Sequence, residues 1–267
     1  MGERVTVSME NGVADVRLNR PDKLNALDRA MFEALAETGK ALTTDRALRA
    51  VVLSGEGRAF CAGLDFMSFM AMTDAADTET PLLGRRADGP GNFAQRVAWV
   101  WTEVPVPVIA AVHGVAFGGG LQIALGADLR LAAPDAQFSV MEIKWGLIPD
   151  MSGTQTLRRL VRLDVAKELT FTGRIVKAPE AAALGLVTRV VDDPRTAALA
   201  LACEIAGKSP DAIRAGKRLL DQSVQLGVAE GLQLEEQLQR SLIGAANQVE
   251  AVQANLQKRA PEFRDPA

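Results

Sequence analysis

Three consecutive glycines, Gly118, Gly119 and Gly120, form the part of the sequence best suited to chemistry. They follow an apolar run with β-branched residues, Val108–Val112, and precede the stretch 121–125, which has the apolar spacing of a helix. A strand, a glycine loop and a helix start in this order direct unpaired backbone N–H groups and the positive end of a helix dipole toward one place. Because glycine has no side chain, a ligand can approach this backbone closely. The pattern favours a site that stabilises a developing negative charge.

The glycine loop is also compatible with tight packing alone, because strand-to-helix turns rich in glycine occur for that purpose. A dinucleotide site is a further alternative, and it needs spaced glycines with an acidic residue ~20 positions further on. Here the glycines are contiguous and the next acidic residue, Asp128, comes too early. The spacing therefore disfavours a dinucleotide site, whereas the packing alternative stays open.

A second glycine-bearing loop, residues 59–65 (AFCAGLD), follows the strand-like run 50–53. If neighbouring strands bring both loops to the same edge of a sheet, one backbone N–H from each loop can converge on a single oxygen atom. That arrangement is an oxyanion hole, and the loss of one such donor typically costs ~3–4 kcal/mol of transition-state stabilisation.

Composition restricts the classes of function. The chain has 267 residues, of which 48% are hydrophobic and 24% charged, the balance of an ordinary globular protein. A net charge of −3 gives no reason to expect a nucleic acid partner. The two cysteines are far apart, and one histidine, His113, is too few for a two-histidine metal site. Without an apolar signal segment or a run of ~20 apolar residues, we expect a soluble cytoplasmic protein and no membrane partner.

Hydrophobic periodicity predicts alternating strands and helices up to about residue 195 and helices almost throughout 196–258. An Asn-Gly pair at positions 11 and 12 predicts a hairpin, and Asp28 is a predicted helix cap. We therefore expect an α/β core, 1–195, that holds the site. The helices of 196–267 have no obvious sheet to cover and are expected to serve packing and oligomerisation. The stretch 67–92 has no sustained period and is predicted to be a mobile surface loop.

Four motifs, in order, resemble those of the crotonase (enoyl-CoA hydratase/isomerase) superfamily. They are RPDKLNAL (20–27), AFCAGLD (59–65), PVIAAVHGVAFGGGLQIAL (107–125) and AQFSVMEIKWGLIPD (136–150). The resemblance covers almost the full length. It implies a crotonase-like spiral of ββα units with a C-terminal helical region, assembled as trimers or dimers of trimers. It also implies an acyl-CoA thioester as ligand and no cofactor, because coenzyme A is part of the substrate.

The resemblance assigns roles to the two glycine loops. In the family, the oxyanion-hole N–H groups belong to the residues that match Leu64 and Gly119. The positions that match the family's substrate and coenzyme A contacts are Lys23, Ala26, Ala62, Gly63, Asp65, Gly118 and Lys258. For each lysine taken alone, ordinary surface charge is the better explanation, and only the motif match favours a contact with coenzyme A. Many relatives have a lysine shortly after the first oxyanion residue, where this chain has Met67, so part of the nucleotide contact is expected to differ.

The acid–base residues depart from the pattern of the family's hydratases, which use two glutamates. The second matches Glu142, but the first falls on Gln122, whose amide can orient a water or a substrate and cannot exchange a proton at neutral pH. Glu142 is predicted to be partly buried with a raised pKa. Asp150 matches an aspartate of the family's dienoyl-CoA isomerases, or else it caps the helix that begins near Ser152.

These residues predict an enzyme that stabilises the enolate of an unsaturated acyl-CoA and moves a proton with Glu142. One carboxylate suffices for a 1,3-proton shift, which favours isomerisation, whereas overall resemblance favours hydration. The alternative is a crotonase-like protein that binds acyl-CoA with little or no turnover. His113 is interpreted as a turn residue and Cys61 as a packing residue. The tryptophans belong to the core or to an acyl pocket: Trp99, Trp101 and Trp145.

Overall fold

A sheet with the strand order β1-β2-β3-β4-β6-β9 forms the centre of the fold in the computed structural model, which describes residues 3–67, 83–85 and 89–266. β1 and β2 are antiparallel and all other neighbours are parallel. The strands are β1 (Val5–Glu10), β2 (Val13–Leu18), β3 (Ala50–Gly55), β4 (Val108–Val112), β6 (Leu129–Ala132) and β9 (Arg189–Val190). Most of the predicted loop 67–92 lies outside the described residues.

The first two strands form the hairpin that the Asn-Gly pair predicts. Asn11 and Gly12 have φ values of 49° and 78°, which is the backbone that a two-residue hairpin turn requires. A side chain at position 12 would also collide with Arg49, because a Cβ there would lie 2.5 Å from the Arg49 Cγ. Glycine is therefore needed both for the turn and for its contact with the chain before β3.

A second, smaller sheet has the order β5-β7-β8 and carries the functional segments away from the main sheet. β5 (Val115–Phe117) follows β4 after two residues and leads directly into the glycine turn and helix α3 (Gly119–Leu125). β7 (Gln137–Ser139) runs parallel to β5 and antiparallel to β8 (Val176–Lys177). The chain that follows β7 is thus held beside the glycine turn.

Helices cover both faces of the main sheet. The larger core packs α1 (Arg29–Thr44), α2 (Phe93–Glu103) and α3 against one face, and Asp28 caps α1 by accepting a hydrogen bond from the Met31 N–H at 2.9 Å. The remaining helices are α4 (Gly153–Leu160), α5 (Leu163–Thr172), α6 (Ala178–Leu184), α7 (Pro194–Ala206), α8 (Pro210–Ser223), α9 (Val228–Leu242) and α10 (Ala246–Gln257). In the part of the chain that is described, no helix is long and apolar enough to cross a membrane.

Helix α7 covers the opposite face of the sheet, where it forms a second core. Ala198 and Ala202 are fully buried there against strand residues that include Val52, Ile109 and Leu131. The expectation that the C-terminal helices have no sheet to cover is therefore wrong for α7. The physical reason is that parallel strands are apolar on both faces, so the face left bare by α1 and α2 needs its own layer of helix.

This packing predicts that an acidic residue is tolerated on one side of α7 only. Ala198→Asp places a charge without a partner between helix and sheet, and we expect the free energy of unfolding to fall by about 3 kcal/mol or more. Ala200→Asp, on the exposed side of the same helix, is the matched control and should cost about 0.5 kcal/mol through helix propensity. Urea unfolding measures the free energy of unfolding of both variants. An equal decrease in the two would show that α7 does not cover this face of the sheet.

Candidate active site

The loop 59–65 is paired, backbone to backbone, with strand β5. The Cys61 N–H donates to Val115 O at 3.0 Å, and the Phe117 N–H donates back to Cys61 O at 3.1 Å. These bonds form the parallel bridge between Cys61 and Ala116. Because β5 runs directly into the glycine turn, this pairing fixes the loop beside the start of α3.

Glycines at positions 63 and 120 let the backbones of the two loops approach closely enough to line one cavity. Gly63 has φ +88°, and a Cβ there would lie 2.6 Å from Phe117 O, far inside the permitted contact distance. The same Cβ position is 3.6 Å from the backbone nitrogen of Gly119, so the two loops touch at this point. A Cβ at Gly120 would lie 2.3 Å from Cys61 O. Any larger residue at these positions would push the loops apart.

Two backbone N–H groups at this contact have no acceptor among the described residues. Leu27 pairs with the residues on either side of Leu64, since its N–H donates to Gly63 O at 2.8 Å and its carbonyl accepts from Asp65 N at 3.0 Å. The Leu64 N–H is not used in this bridge. Gly119 is the first residue of α3, where a helix offers no internal acceptor to an N–H. Both residues line the same cavity.

That cavity has a volume of about 260 Å³ and is walled mainly by apolar side chains. Phe66 and Trp145 form one wall, with their ring centroids 3.9 Å apart. The charged side chains lining the described part of the cavity are Glu142 and Asp150. The lining residues are Phe32, Ala62, Gly63, Leu64, Phe66, Leu83, Ala94, Gly118, Gly119, Met141, Glu142, Trp145, Leu147, Ile148, Asp150 and Met151.

Glu142 begins a short 3₁₀ helix, Glu142–Trp145, and its carboxylate is buried beside the glycine turn. Oε1 accepts a hydrogen bond from Gln122 Nε2 at 2.6 Å and lies 3.4 Å from the position that a Cβ of Gly118 would take. Oε2 is buried with no hydrogen-bond partner in the described chain. Burial raises the pKa of Glu142, the charge of Asp150 adds to this, and the bond from Gln122 opposes it. The sequence predicts a partly buried Glu142 with a raised pKa; the residue is buried, with 9% exposed, and its pKa is shifted in the predicted direction.

Gln122 is fixed in one orientation by the backbone on its other side. Its Oε1 accepts hydrogen bonds from the N–H groups of Met151 and Gly153, both at 2.8 Å, so its NH₂ group must face Glu142. The side chain is buried, with 2% of the residue exposed. Gln122 is therefore a buried residue held against Glu142 and not a polar residue on the surface of the helix.

Asp150 does not cap the helix that follows it. The N-cap position of α4 is taken by Ser152, which has φ 70° and makes no side-chain capping bond. Asp150 lines the cavity, and although the residue as a whole is exposed, burial raises the pKa of its carboxyl group. The structure thus brings Asp150 to the same cavity as Glu142, and the capping interpretation is wrong.

The predicted coenzyme A contacts divide into two groups. Ala62, Gly63 and Gly118 line the cavity. Lys23 and Lys258 are exposed and do not line it, so their role stays a prediction.

Arg20, the first residue of the motif 20–27, has no role assigned from the sequence, and it contacts two of the remaining predicted positions, Ala26 and Asp65. Its guanidinium pairs with Asp65 at 2.8 Å and donates to Ala26 O at 2.9 Å. It also lies 3.5 Å from Asp28. Arg20 therefore ties the end of the loop 59–65 to the segment before α1, and Asp65 has a structural partner.

The residues interpreted as structural have structural contacts. The ring Nε2 of His113 lies 3.0 Å from Gly57 O. Cys61 is fully buried, and burial raises its pKa to about 12, so the thiol stays protonated and unreactive at neutral pH. Trp101 is a core residue whose Nε1 donates to Val97 O, whereas Trp145 is half exposed on the cavity wall. No cluster of three or more His, Cys, Asp or Glu side chains suited to a metal occurs among the described residues.

Known proteins resemble this chain along almost its whole length. The family model for enoyl-CoA hydratase/isomerase matches residues 8–266. A probable enoyl-CoA hydratase of Rhizobium meliloti (strain 1021) is 38% identical over 98% of this chain and 98% of its own. The human mitochondrial enoyl-CoA hydratase domain-containing protein 2 is 35% identical over 97% of this chain and 88% of its own.

Solved structures agree with the sequence match. The crystal structure of a putative enoyl-CoA hydratase from Streptomyces coelicolor A3(2) superposes with a TM-score of 0.88 at 34% identity, covering 98% of this chain and 94% of that one. An enoyl-CoA hydratase from Bacillus anthracis superposes with a TM-score of 0.86 at 31% identity, covering 97% and 98%. The crotonase-like α/β fold predicted from the motifs is confirmed, and the chain belongs to the enoyl-CoA hydratase/isomerase family.

Proposed function

We propose that this protein shifts a carbon–carbon double bond of an acyl-CoA thioester by moving one proton. The observation that carries the proposal is the position of Glu142: a buried carboxylate with one oxygen unpartnered in the described chain, next to the glycine turn and in the cavity that Leu64 and Gly119 line. A thioester oxygen held by the two free N–H groups would bring its α-carbon to this carboxylate.

The reaction balances without a co-reactant. Glu142 removes a proton from C2 of a 3-enoyl thioester, and the electron pair spreads over C2, C4 and the thioester oxygen. The N–H groups of Leu64 and Gly119 stabilise the charge on that oxygen, each contributing about 3 kcal/mol. Glu142 then returns the same proton to C4, which leaves a 2-enoyl thioester. The raised pKa of Glu142 suits a group that must both take and give a proton.

Hydration needs a second proton-exchanging group to prepare the water, and Gln122 offers none. Both of its amide ends are occupied, Oε1 by two backbone N–H groups and Nε2 by Glu142. An amide cannot deprotonate water at neutral pH. Gln122 instead acts as a positioning residue, because its NH₂ group holds Oε1 of Glu142 and leaves Oε2 for the substrate.

The same proposal includes assembly into a trimer or a dimer of trimers and a coenzyme A moiety carried by the substrate. Several large apolar side chains are exposed on the C-terminal helices, which supports burial against other subunits. They include Leu220, Val228, Leu232, Ile243 and Leu256. Sedimentation analysis of the purified protein measures the oligomeric state directly.

Removing the carboxylate of Glu142 tests whether this residue transfers the proton. We expect Glu142→Gln to lower kcat for a 3-enoyl-CoA about a thousandfold, since general acid–base catalysis contributes about 10²–10⁴-fold. Asp150→Asn is the comparison variant and should lose about tenfold or less if one carboxylate carries the proton. A much larger loss in Asp150→Asn would favour a 1,5-shift in a dienoyl-CoA that uses both carboxylates. Full activity of Glu142→Gln, or no turnover of any enoyl-CoA by the wild type, contradicts the proposal.

Restoring the missing carboxylate tests why hydration is disfavoured. In Gln122→Glu one oxygen of the new side chain can keep the N–H groups of Met151 and Gly153 while the other faces Glu142, so the two carboxyls share a proton. We expect hydration of crotonyl-CoA to rise about tenfold or more relative to wild type. Gln122→Leu, with similar size and no polar group, is the control and should not gain hydration. The same low rate in all three proteins contradicts this role of Gln122.

The pH dependence follows from the pKa of Glu142. The base must be ionised, and its pKa is raised by burial and by Asp150, so the acidic limb of kcat/KM for a 3-enoyl-CoA should lie above the ordinary glutamate value of 4.5. In Asp150→Asn the negative neighbour is gone, the pKa of Glu142 falls, and the limb should move to lower pH. A limb that moves to higher pH in this variant would contradict the assignment.

A further inference from the structure

A second cavity of about 510 Å³ adjoins the first one. We call it the polar chamber, because most of its lining side chains are polar or charged. Ile148 and Asp150 line both cavities, so the two spaces meet at these residues. The chamber is lined by Pro90, Gly91, Gln95, Arg96, Trp99, Ile148, Pro149, Asp150, Ser152, Thr154, Gln155, Arg158, Arg159 and Gln225.

The segment 150–153 is the wall between the two spaces. The N–H groups of Met151 and Gly153 point to Gln122, and the Met151 sulfur packs 2.8 Å from where a Cβ of Gly119 would lie. Ser152, between them, lines the polar chamber and not the first cavity. An acyl chain whose thioester lies at Gly119 can therefore continue past Ile148 and Asp150 into the polar chamber.

Ser152 has an unexplained buried hydroxyl. The residue is 8% exposed, and its Oγ makes no hydrogen bond within the described residues. It stands at the N-cap position of α4 without capping it. A buried hydroxyl normally has a partner, because desolvation without a hydrogen bond is unfavourable. A polar group of a ligand in the chamber would supply that partner.

The charge of the chamber selects the kind of polar group. Three arginines line it, against the single carboxylate of Asp150. Arg96 is already paired with Glu103, and Arg159 is close enough to Asp221 to oppose the rise that burial causes in the pKa of that carboxyl, whereas the exposed Arg158 makes no ion pair with any described residue. An arginine fork binds a carboxylate with two parallel hydrogen bonds, so the chamber is suited to an anionic end.

We infer that the preferred substrates are acyl-CoA thioesters whose acyl chain ends in a carboxylate, held in the polar chamber by Ser152 and Arg158. The inference rests on the proposed function and names its substrate class. A chain that ends in a methyl group would leave the Ser152 hydroxyl unpaired and place hydrocarbon among arginines. A terminal carboxylate could accept a hydrogen bond from the Arg158 guanidinium or from the Ser152 hydroxyl.

The test compares 3-enoyl-CoA substrates of equal length that end in a methyl group or in a carboxylate, over chains of increasing length. At the length that reaches the chamber, wild type should favour the carboxylate by about tenfold or more in kcat/KM. Arg158→Gln and Ser152→Ala should each reduce this preference about tenfold. Arg162→Gln, an exposed arginine that lines neither cavity, is the matched control and should keep it.

Binding gives a readout that does not depend on turnover. Titration calorimetry with saturated acyl-CoA thioesters of the same two tail types should show the same preference and the same loss in Arg158→Gln. The inference is overturned if wild type shows no tail preference at any length by either measurement, or if Arg158→Gln and Ser152→Ala change it no more than Arg162→Gln. If 3-enoyl-CoA is not isomerised but the carboxylate tail is still preferred in binding, the proposed function fails and the tail site stands.

Discussion

The backbone pairing between the loop 59–65 and strand β5 is the constraint on which the site depends. It joins a loop from the end of β3 to the turn that starts α3, two segments more than 50 residues apart in the chain. The pairing is possible only because Gly63 and Gly120 let backbone atoms approach where a side chain would collide. As a result, two N–H groups without acceptors in the described chain, from Leu64 and Gly119, belong to one cavity. Arg20 also holds the loop 59–65 in place, because its guanidinium pairs with Asp65 at the end of that loop.

A chain of hydrogen bonds fixes the position of the Glu142 carboxylate beside the two loops. Backbone N–H groups of the segment 150–153 orient Gln122, and Gln122 orients Glu142. Glu142 is buried with one oxygen that has no partner among the described residues, which is unfavourable for stability. Such groups concentrate at sites where a ligand supplies the missing partner. Ser152 has the same property on the other side of the wall. The segment 150–153 therefore contributes to both cavities: its N–H groups hold Gln122 on one side, and Ser152 lines the polar chamber on the other.

The sequence predicts local features well where one residue type decides them. The hairpin at Asn11 and Gly12, the cap at Asp28, and the strand–glycine–helix order around Gly119 all follow from backbone preferences that act within a few residues. The burial of Glu142 does not come from its apolar sequence neighbours, since Trp145 and Leu147 are exposed; its carboxylate lies beside Gly118 and Gln122 instead. The four motifs identify the family because they occur in this chain in the same order as in the family.

Features that depend on distant backbone were not predictable in this way. The partners of the Gln122 Oε1 are main-chain N–H groups, which carry no residue signature, so the sequence alone does not show that Gln122 is buried. Helix α7 seals the sheet with alanines, whose small apolar faces do not mark a covering helix. Strand β9 pairs with β6 over only two residues, Arg189–Val190, although β6 extends from Leu129 to Ala132. The pairing of Arg20 with Asp65 joins two motifs that lie far apart in the sequence.

The most direct test of the central claim is the infrared frequency of the thioester carbonyl in a bound acyl-CoA labelled with ¹³C at C1. We use the Glu142→Gln variant, in which turnover is expected to be about a thousandfold slower and which changes neither Leu64 nor Gly119. Two N–H groups that converge on one oxygen weaken the C=O bond, so the labelled band should shift to lower frequency on binding than it has in water. A band that stays at or above its frequency in water would show that the N–H groups of Leu64 and Gly119 do not meet at the thioester oxygen.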